Sequence, residues 1–254
     1  MKGSKRLCAF PLNKKYDINK KSPYMAIGTN NLSKCEAINI FNNYPYNELL
    51  IDTAYRYGNE LDISQALRES GYPIENVQFI GKICYEQQKR SVRSELQGTL
   101  NRLGIEKIDA YLIHSPRYVK FCDTWTELME LRNEGLIDKI GVSNFSCDQI
   151  EIIADACGEF PSINQIVCNP IDEYDYLITM INFCKAKGIN LQVAGAFGGK
   201  RRSEELSEEQ RNKIISLLVR LNCQIIIGTS KAEHMCQNMQ VLEEMKCKFQ
   251  INDY

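Results

Sequence analysis

The sequence predicts an α/β fold, a single-domain (β/α)8 TIM barrel with an N-terminal extension or hairpin, on three observations. Eight short runs rich in apolar and β-branched residues alternate with longer amphipathic segments along the 254 residues. Their ends fall near residues 28, 52, 82, 114, 143, 168, 194 and 227, so successive units span 24 to 33 residues. One strand, one helix and two short loops take about that length. The runner-up, an open doubly wound sheet, expects a G-x-G-x-x-G turn after an early strand. Here the first strand leads into IGTNNLS instead.

Residues 1–23 are polar, carry Pro11 and Pro23, and are expected to form the extension or hairpin beneath the barrel. The barrel is expected over 24–242, with 243–254 as a short C-terminal tail. Its first strand, 24–28, precedes a helix opened by Ser33-x-x-Glu36, a capping box that satisfies free amides. The second, 49–53, precedes a helix closed by Gly71, and the third, 77–82, a helix closed by Gly104. That third helix sets Val92, Leu96, Leu100 and Leu103 on one stripe, as covering a sheet requires. The fourth strand, 110–114, is followed by a helix ending at Gly135. The fifth, 139–143, is followed by the capping box Ser146-x-x-Gln149. The sixth, 163–168, leads to a helix ending at Gly188, and the seventh, 190–194, to the capping box Ser207-x-x-Gln210. The eighth is 224–227. No linker, low-complexity tract or shift of composition marks a second domain.

The chain is 44% apolar and 25% charged, with 31 Lys+Arg against 32 Asp+Glu, an ordinary globular balance. Near-zero net charge argues against a nucleic-acid partner and against a polybasic membrane patch. No stretch approaches the ~20 apolar residues of a membrane helix, and MKGSKRLCAFPLNKK lacks the apolar core of a signal peptide. Eleven cysteines are scattered, odd in number and without a CxxC. They fit a reduced compartment better than a disulfide framework, so a cytoplasmic protein is expected. With two histidines, His114 and His234, no metal site is expected. The default oligomeric state is a monomer.

A (β/α)8 barrel carries its chemistry at the C-terminal ends of its strands. Those ends present Asp52, Lys82, His114, Ser143 with Asn144, and Gln165, while Tyr57 lies in the second loop. Each has a plain structural alternative: a helix cap for Asp52, a surface lysine, a loop aromatic, a core histidine, a turn at Ser143–Asn144. Together they compose a reaction. A buried lysine beside a carboxylate stays protonated and lowers the pKa of a neighbouring phenol. Such a tyrosine protonates a carbonyl oxygen, and a histidine donor helps hold that oxygen. The missing hydride must come from a cofactor.

These residues resemble the aldo-keto reductase superfamily through IDTAYRYGNE (51–60), FIGK (79–82), YLIHSP (111–116), IGVSNFS (140–146), INQIVCNP (163–170) and IIIGTSKAEHMCQN (225–238). The resemblance implies an extended nicotinamide dinucleotide bound without a Rossmann fold, and a tetrad of Asp52, Tyr57, Lys82 and His114. It makes Tyr57 the proton donor and His114 the carbonyl orienter. Ser143, Asn144 and Gln165 match positions that hold the nicotinamide carboxamide, and Asn238 one that contacts adenine. Thr29 is grouped with the cofactor contacts.

Several positions depart from the family pattern. Gly195 stands where an aromatic usually stacks on the nicotinamide, leaving Phe197 as a substitute or as plain packing. Gly198, Gly199 and Lys200 open the segment GGKRRSEE, read either as a pyrophosphate-covering loop or as a solvated basic loop. Gly228 and His234 occupy positions where Lys and Arg often meet the 2′-phosphate of NADPH. Thr229 is retained, and Lys231 is the nearest cation. NADPH by resemblance, or NADH, is therefore expected, with discrimination blunted. Asn30 replaces a frequent Trp, Arg117 and Tyr118 follow His114, and no long C-terminal loop is expected over the pocket. The expectation is a carbonyl reductase or alcohol dehydrogenase on a small polar aldehyde, ketone or sugar-like substrate. The alternatives are a non-catalytic nicotinamide-binding regulatory subunit, and a lyase or aldolase using Lys82 as a Schiff base.

Overall fold

A computed structural model of the chain describes residues 24–198 and 206–250. The expected extension over 1–23, and Gly199 and Lys200, lie outside the described residues. Eight parallel strands close into a barrel: β1 (Met25–Gly28), β2 (Leu49–Asp52), β3 (Val77–Ile83), β4 (Ile108–Ile113), β5 (Ile137–Ser143), β6 (Ile163–Val167), β7 (Asn190–Ala194) and β8 (Gln224–Gly228). Pairing of β8 with β1, from Met25↔Ile225 to Gly28↔Gly228, removes the sheet edges. The helices that follow the strands are α1 (Lys34–Asn43), α2 (Glu60–Ser70), α3 (Val92–Leu103), α4 (Phe121–Asn133), α5 (Cys147–Cys157), α6 (Tyr174–Ala186), α7 (Glu208–Arg220) and α8 (Ala232–Phe249). The chain is thus a (β/α)8 TIM barrel.

Local signals account for most boundaries. Ser33–Glu36, Ser146–Gln149 and Ser207–Gln210 each form the full reciprocal capping box. Gly71 and Gly104 close α2 and α3 at left-handed φ of 71° and 74°. The stripe of α3 is buried as its spacing requires. Strands β4 and β5 begin two residues earlier than the apolar pattern suggests. Asp109 sits inside β4, where its carboxylate accepts the backbone N–H of Phe79 at 2.8 Å, an interaction across strands that hydropathy does not register. Helix α8 continues to Phe249, so the segment expected as a tail from 243 is helical over most of its described length.

Two apolar layers follow from side-chain alternation in the strands. One set, including Ile27, Ile51, Phe79, Tyr111 and Ile225, packs outward against the helices. The other, Ala26, Leu50, Ile80, Ala110, Leu112, Ile163 and Ile226, fills the barrel interior. Asp52 lies two residues beyond Leu50, Lys82 two beyond Ile80, His114 two beyond Leu112 and Gln165 two beyond Ile163. The period of two that builds the inner layer therefore also aims the polar residues into the same mouth.

Close packing leaves no room for a side chain at Gly141 of β5. A Cβ there would meet the carbonyl oxygen of Ile163 at 2.7 Å and Leu112 Cδ2 at 2.7 Å. At Gly98 in α3 the nearest atom is the mobile end of Arg102, at 3.0 Å. Gly141→Ala is expected to destabilise the fold by about 1–3 kcal/mol through overpacking. Gly98→Ala should stabilise it by up to about 1 kcal/mol by restricting the unfolded chain. Urea unfolding of the two variants beside the parent reads both signs.

Candidate active site

At the C-terminal mouth of the barrel lies a cavity of about 820 Å³, bordered by Asp52, Tyr57, His114, Ser143, Gln165 and Phe197 among others. Lys82 sits beneath it, fully buried. Its Nζ donates to Asp52 Oδ2 at 2.6 Å, to the carbonyl of Thr53 at 3.2 Å and to Tyr57 Oη at 3.3 Å. Tyr57 is carried there by a 3-10 turn, Tyr55–Tyr57, ended by Gly58 at φ 70°. Its ring stands edge-on to His114, with centroids 5.8 Å apart. Four side chains from three strand ends and one loop thus meet at one place.

Burial and charge act in opposition on these groups. Burial penalises the Lys82 ammonium, yet Asp52 and Tyr57 outweigh it, and its pKa lies above the ordinary lysine value. Lys82 is therefore charged at neutral pH and bonded to a carboxylate, which removes the basis for a Schiff-base lyase. The phenol corrects an expectation. Burial is the largest influence on Tyr57 and raises its pKa, the Lys82 charge lowers it, and Asp52 raises it again, for a net upward shift. Lysine's pull is present but does not prevail. His114 is pushed down to about 3, first by burial and then by the charges of Lys82, Arg56 and Arg117. The imidazole is neutral. Its Nδ1 is buried with no hydrogen-bond partner among the described residues.

The expected cofactor contacts divide into wall residues and supports. Ser143, Gln165, Phe197, Gly198, Gly228 and Thr229 border the cavity. Gln165 Nε2 donates to Asp52 Oδ2 at 2.7 Å and to Gln192 Oε1 at 2.9 Å, so its amide offers only Oε1 as a further partner. Asn144, at φ 61°, also borders the cavity, but its amide is committed. It donates to Ser143 Oγ at 3.0 Å and accepts from the N–H of Val167 at 3.0 Å. Thr29, expected at the cofactor, is fully buried and off the wall. Its hydroxyl donates to the carbonyl of Asp52 at 3.1 Å and lies 3.1 Å from Thr53 Oγ1. Thr29 thus braces the end of β2.

Thr229 Oγ1 accepts the Lys231 N–H at 3.2 Å, shaping the turn into α8. Lys231 is exposed and His234 half-buried, both off the wall. Asn238 is buried, with Oδ1 unpartnered among the described residues. Of the expected substrate contacts, Asn30 borders the cavity. Arg117 is exposed, and Tyr118 packs edge-on to Tyr85 at 6.2 Å, both away from the wall.

Sequence reasoning passed over other wall residues: Val167 at the end of β6, Asp172 and Glu173 beyond it, and Ser230 after β8. It also missed Asn59, whose Nδ2 donates to the carbonyls of Thr29 and Leu32 at 2.7 and 2.9 Å and ties the first loop to the second. The signal lay inside the motif D-T-A-x-x-Y-G-N-E, where Asn59 follows the glycine. Neither Cys84 nor Cys168 borders the cavity, and burial raises both thiols above their ordinary pKa, Cys168 to about 11.

Comparison with known proteins bears on the fold and on the family. A crystal structure of an aldo/keto reductase from Brucella melitensis superposes with a TM-score of 0.73, covering 89% of this chain and 90% of that one at 23% identity, a likeness of fold. A 9,11-endoperoxide prostaglandin H2 reductase of Trypanosoma cruzi (strain CL Brener) is 32% identical over 178 residues, 70% of this chain. That match spans 62% of the Trypanosoma protein's own length. An aldo-keto reductase of Mycobacterium ulcerans (strain Agy99) is 30% identical over 203 residues, 76% of this chain and 72% of the relative. The model of the Aldo/keto reductase family matches residues 25–240, from the first strand to the middle of the last helix, and the chain belongs to that family.

Proposed function

We propose that this protein is an NAD(P)H-dependent carbonyl reductase, or in reverse an alcohol dehydrogenase, acting on a small polar aldehyde, ketone or sugar-like compound. The observation that carries this reading is the buried chain Asp52–Lys82–Tyr57, which ends at the cavity wall beside a neutral His114. The residues present fit a nicotinamide dinucleotide. The cavity is of cofactor size. Ser143 accepts from Asn144 and retains a hydroxyl proton to donate, while Gln165 retains an acceptor. That pair complements a carboxamide. The unpartnered Oδ1 of Asn238 suits an amino group such as that of adenine. Phe197 is the ring on the wall near Gly195. Gly195 itself, at φ 66° with Val167 Cγ1 3.0 Å from its would-be Cβ, is a strained place for any side chain.

When bound, the nicotinamide supplies or accepts the hydride. Every other part of the task falls to the chain. Tyr57 gives its proton to the substrate oxygen as negative charge develops there. Its raised pKa keeps that proton in place through neutral pH. Lys82, charged and 3.3 Å from the phenolic oxygen, stabilises the tyrosinate left behind. Asp52 keeps Lys82 oriented and charged. His114 donates from Nε2 to the same substrate oxygen and fixes its position. In the alcohol-oxidising direction the same groups run backwards, with tyrosinate as the base.

Specificity between nucleotides follows from charge. Among the described residues the cavity wall carries the acids Asp52, Asp172 and Glu173 and no lysine or arginine. A 2′-phosphate finds little to pair with there, so discrimination for NADPH is blunted. The ratio of kcat/KM for NADPH over NADH is expected to stay below about 1,000, since a larger value needs two or more charge-assisted contacts.

Tyr57→Phe should cut kcat by about 10²–10⁴ while leaving the cofactor Kd, read by nicotinamide fluorescence, nearly unchanged. A variant that keeps kcat within about threefold would show that Tyr57 is not the proton donor. His114 gives a pH test with a definite sign. Its pKa falls from 6.5 to about 3 on folding, so below pH 6.5 the unfolded chain takes up a proton that the folded chain refuses. Stability is then lost as pH falls from 6.5 towards 3, by up to about 1.4 kcal/mol per unit. His114→Gln should remove that slope in urea titrations at a series of pH values. An unchanged slope would place the titration elsewhere.

A further inference from the structure

The mouth of the barrel is unevenly charged. The loops after β2, β3 and β4 (residues 53–59, 84–91 and 114–120) carry Arg56, Lys89, Arg90, Arg117 and Lys120 against a single acid, Glu86. The loop after β6 (168–173) carries Asp172 and Glu173 and no cation. In the closed barrel β6 lies opposite β2, so these loops face one another across the opening.

Two of the cations are set apart by their surroundings. Among the described residues, four arginines pair with glutamates, Arg68 and Arg211 donate to Ser64 and to the Leu206 carbonyl, and Arg220 lies over the Phe249 ring. Arg56 and Arg117 are exposed and have no hydrogen-bond, ion-pair or ring partner among those residues. Water alone can solvate a surface arginine, so position decides what these two are for. Arg56 immediately precedes Tyr57, Arg117 follows His114 by three residues, and the rings of Tyr57 and His114 meet edge-on at 5.8 Å. Behind burial and Lys82, the same two charges depress the pKa of His114, so their field reaches the imidazole.

The backbone that carries them is pinned. Tyr55, before Arg56, lies 5.1 Å beneath the Arg102 guanidinium, which is itself paired with Glu60 at 2.7 Å. Tyr57, after it, is bonded to Lys82. Tyr118, next to Arg117, packs on Tyr85, whose ring lies 4.1 Å from Lys89 Nζ. The neighbours are anchored while the two guanidinium groups stay uncommitted. Ser143, Gln165 and Asn238, which fit the dinucleotide, belong to β5, β6 and α8. The cations of the β2–β4 loops are left for the substrate.

We propose that Arg56 and Arg117 form an anion subsite, and that the protein reduces carbonyl compounds bearing a carboxylate or a phosphate, with the carbonyl oxygen at Tyr57 and His114 and the anionic group over the loops after β2 and β4. The guanidinium fork matches either oxyanion through paired N–H···O bonds. Asp172 and Glu173 repel an anion from the opposite rim, so the same charge division orients the molecule. The inference rests on the carbonyl-reductase reading for the reaction, and on the two arginines for the substrate class.

Matched aldehydes test it: 4-carboxybenzaldehyde against its methyl ester, and glyceraldehyde 3-phosphate against glyceraldehyde, each with saturating NADH and NADPH. In the parent the charged member of at least one pair should exceed its neutral counterpart about tenfold or more in kcat/KM, and the pair that does so names the oxyanion. Combining Arg56→Gln with Arg117→Gln should bring that ratio near one, with the loss in KM for the charged member. Combining Arg56→Lys with Arg117→Lys keeps the charge without the fork and should leave an intermediate ratio. Raising salt from about 0.05 M to about 0.5 M should lower the parental ratio and leave that of the double glutamine variant where it is.

Equal kcat/KM within both pairs in the parent, or a ratio that survives the double glutamine variant, would overturn the proposal. Calorimetric titration with terephthalate and with glycerol 3-phosphate reads the subsite apart from turnover. Binding of either by the parent about tenfold tighter than by the double glutamine variant supports it, and equal or absent binding overturns it. A parent that binds neither nucleotide refutes the reductase reading instead, while the calorimetry still decides the subsite.

Discussion

The buried contact between Lys82 and Asp52 is the constraint around which the mouth of this barrel is arranged. Two opposite charges, both within the protein, are held 2.6 Å apart. Desolvating them costs several kcal/mol each by general measure, and only a close partner with further hydrogen bonds offsets this. The structure supplies those bonds. Lys82 also donates to the Thr53 carbonyl and to Tyr57, and Asp52 also accepts from Gln165. Thr29 and Asn59 brace the backbone on either side. Tyr57, Gln165, Thr29 and Asn59 are thus each a partner of the pair or a support for one.

That arrangement explains the division of labour between charge and proton. Were Lys82 less tightly paired, burial would favour its neutral form and the phenol would lose its counter-charge. Tyr57 holds its proton in the structure because burial outweighs the lysine. In the proposed reaction the same lysine matters most when the proton leaves, since a tyrosinate in a desolvated setting needs a nearby cation. His114 is kept neutral by burial and by the same charge, which suits a donor of hydrogen bonds better than a second acid.

The barrel also shows how a single alternation serves two ends. Residues two apart along each strand share a face, so the inner apolar layer of Leu50, Ile80, Leu112 and Ile163 is continued upward by Asp52, Lys82, His114 and Gln165. A slip of one residue in any strand would move a polar group out among the helices and an apolar one into the mouth. Stability of the core and placement of the chemistry are thus enforced by the same register.

Much of this was legible from residue order alone. The eight strands, the three capping boxes and the stripe on α3 are local features, governed by side-chain periodicity and by short-range hydrogen bonds. The motif around Asp52 and Tyr57 is local as well. Tertiary structure alone decided what depends on burial and on strands distant in sequence. Gln165 lies 113 residues from the carboxylate it touches, and Gln192 and Gln224 read only as polar interruptions in apolar runs until closure set them in register. Thr29 became a support and Arg117 an exposed residue off the cavity wall because the loop paths, which spacing does not encode, carried them there. The sign of the Tyr57 shift was decided last of all, because desolvation depends on how much protein surrounds the phenol. A sequence can name an ammonium and a phenol as neighbours, but only the folded barrel determines how little water remains between them.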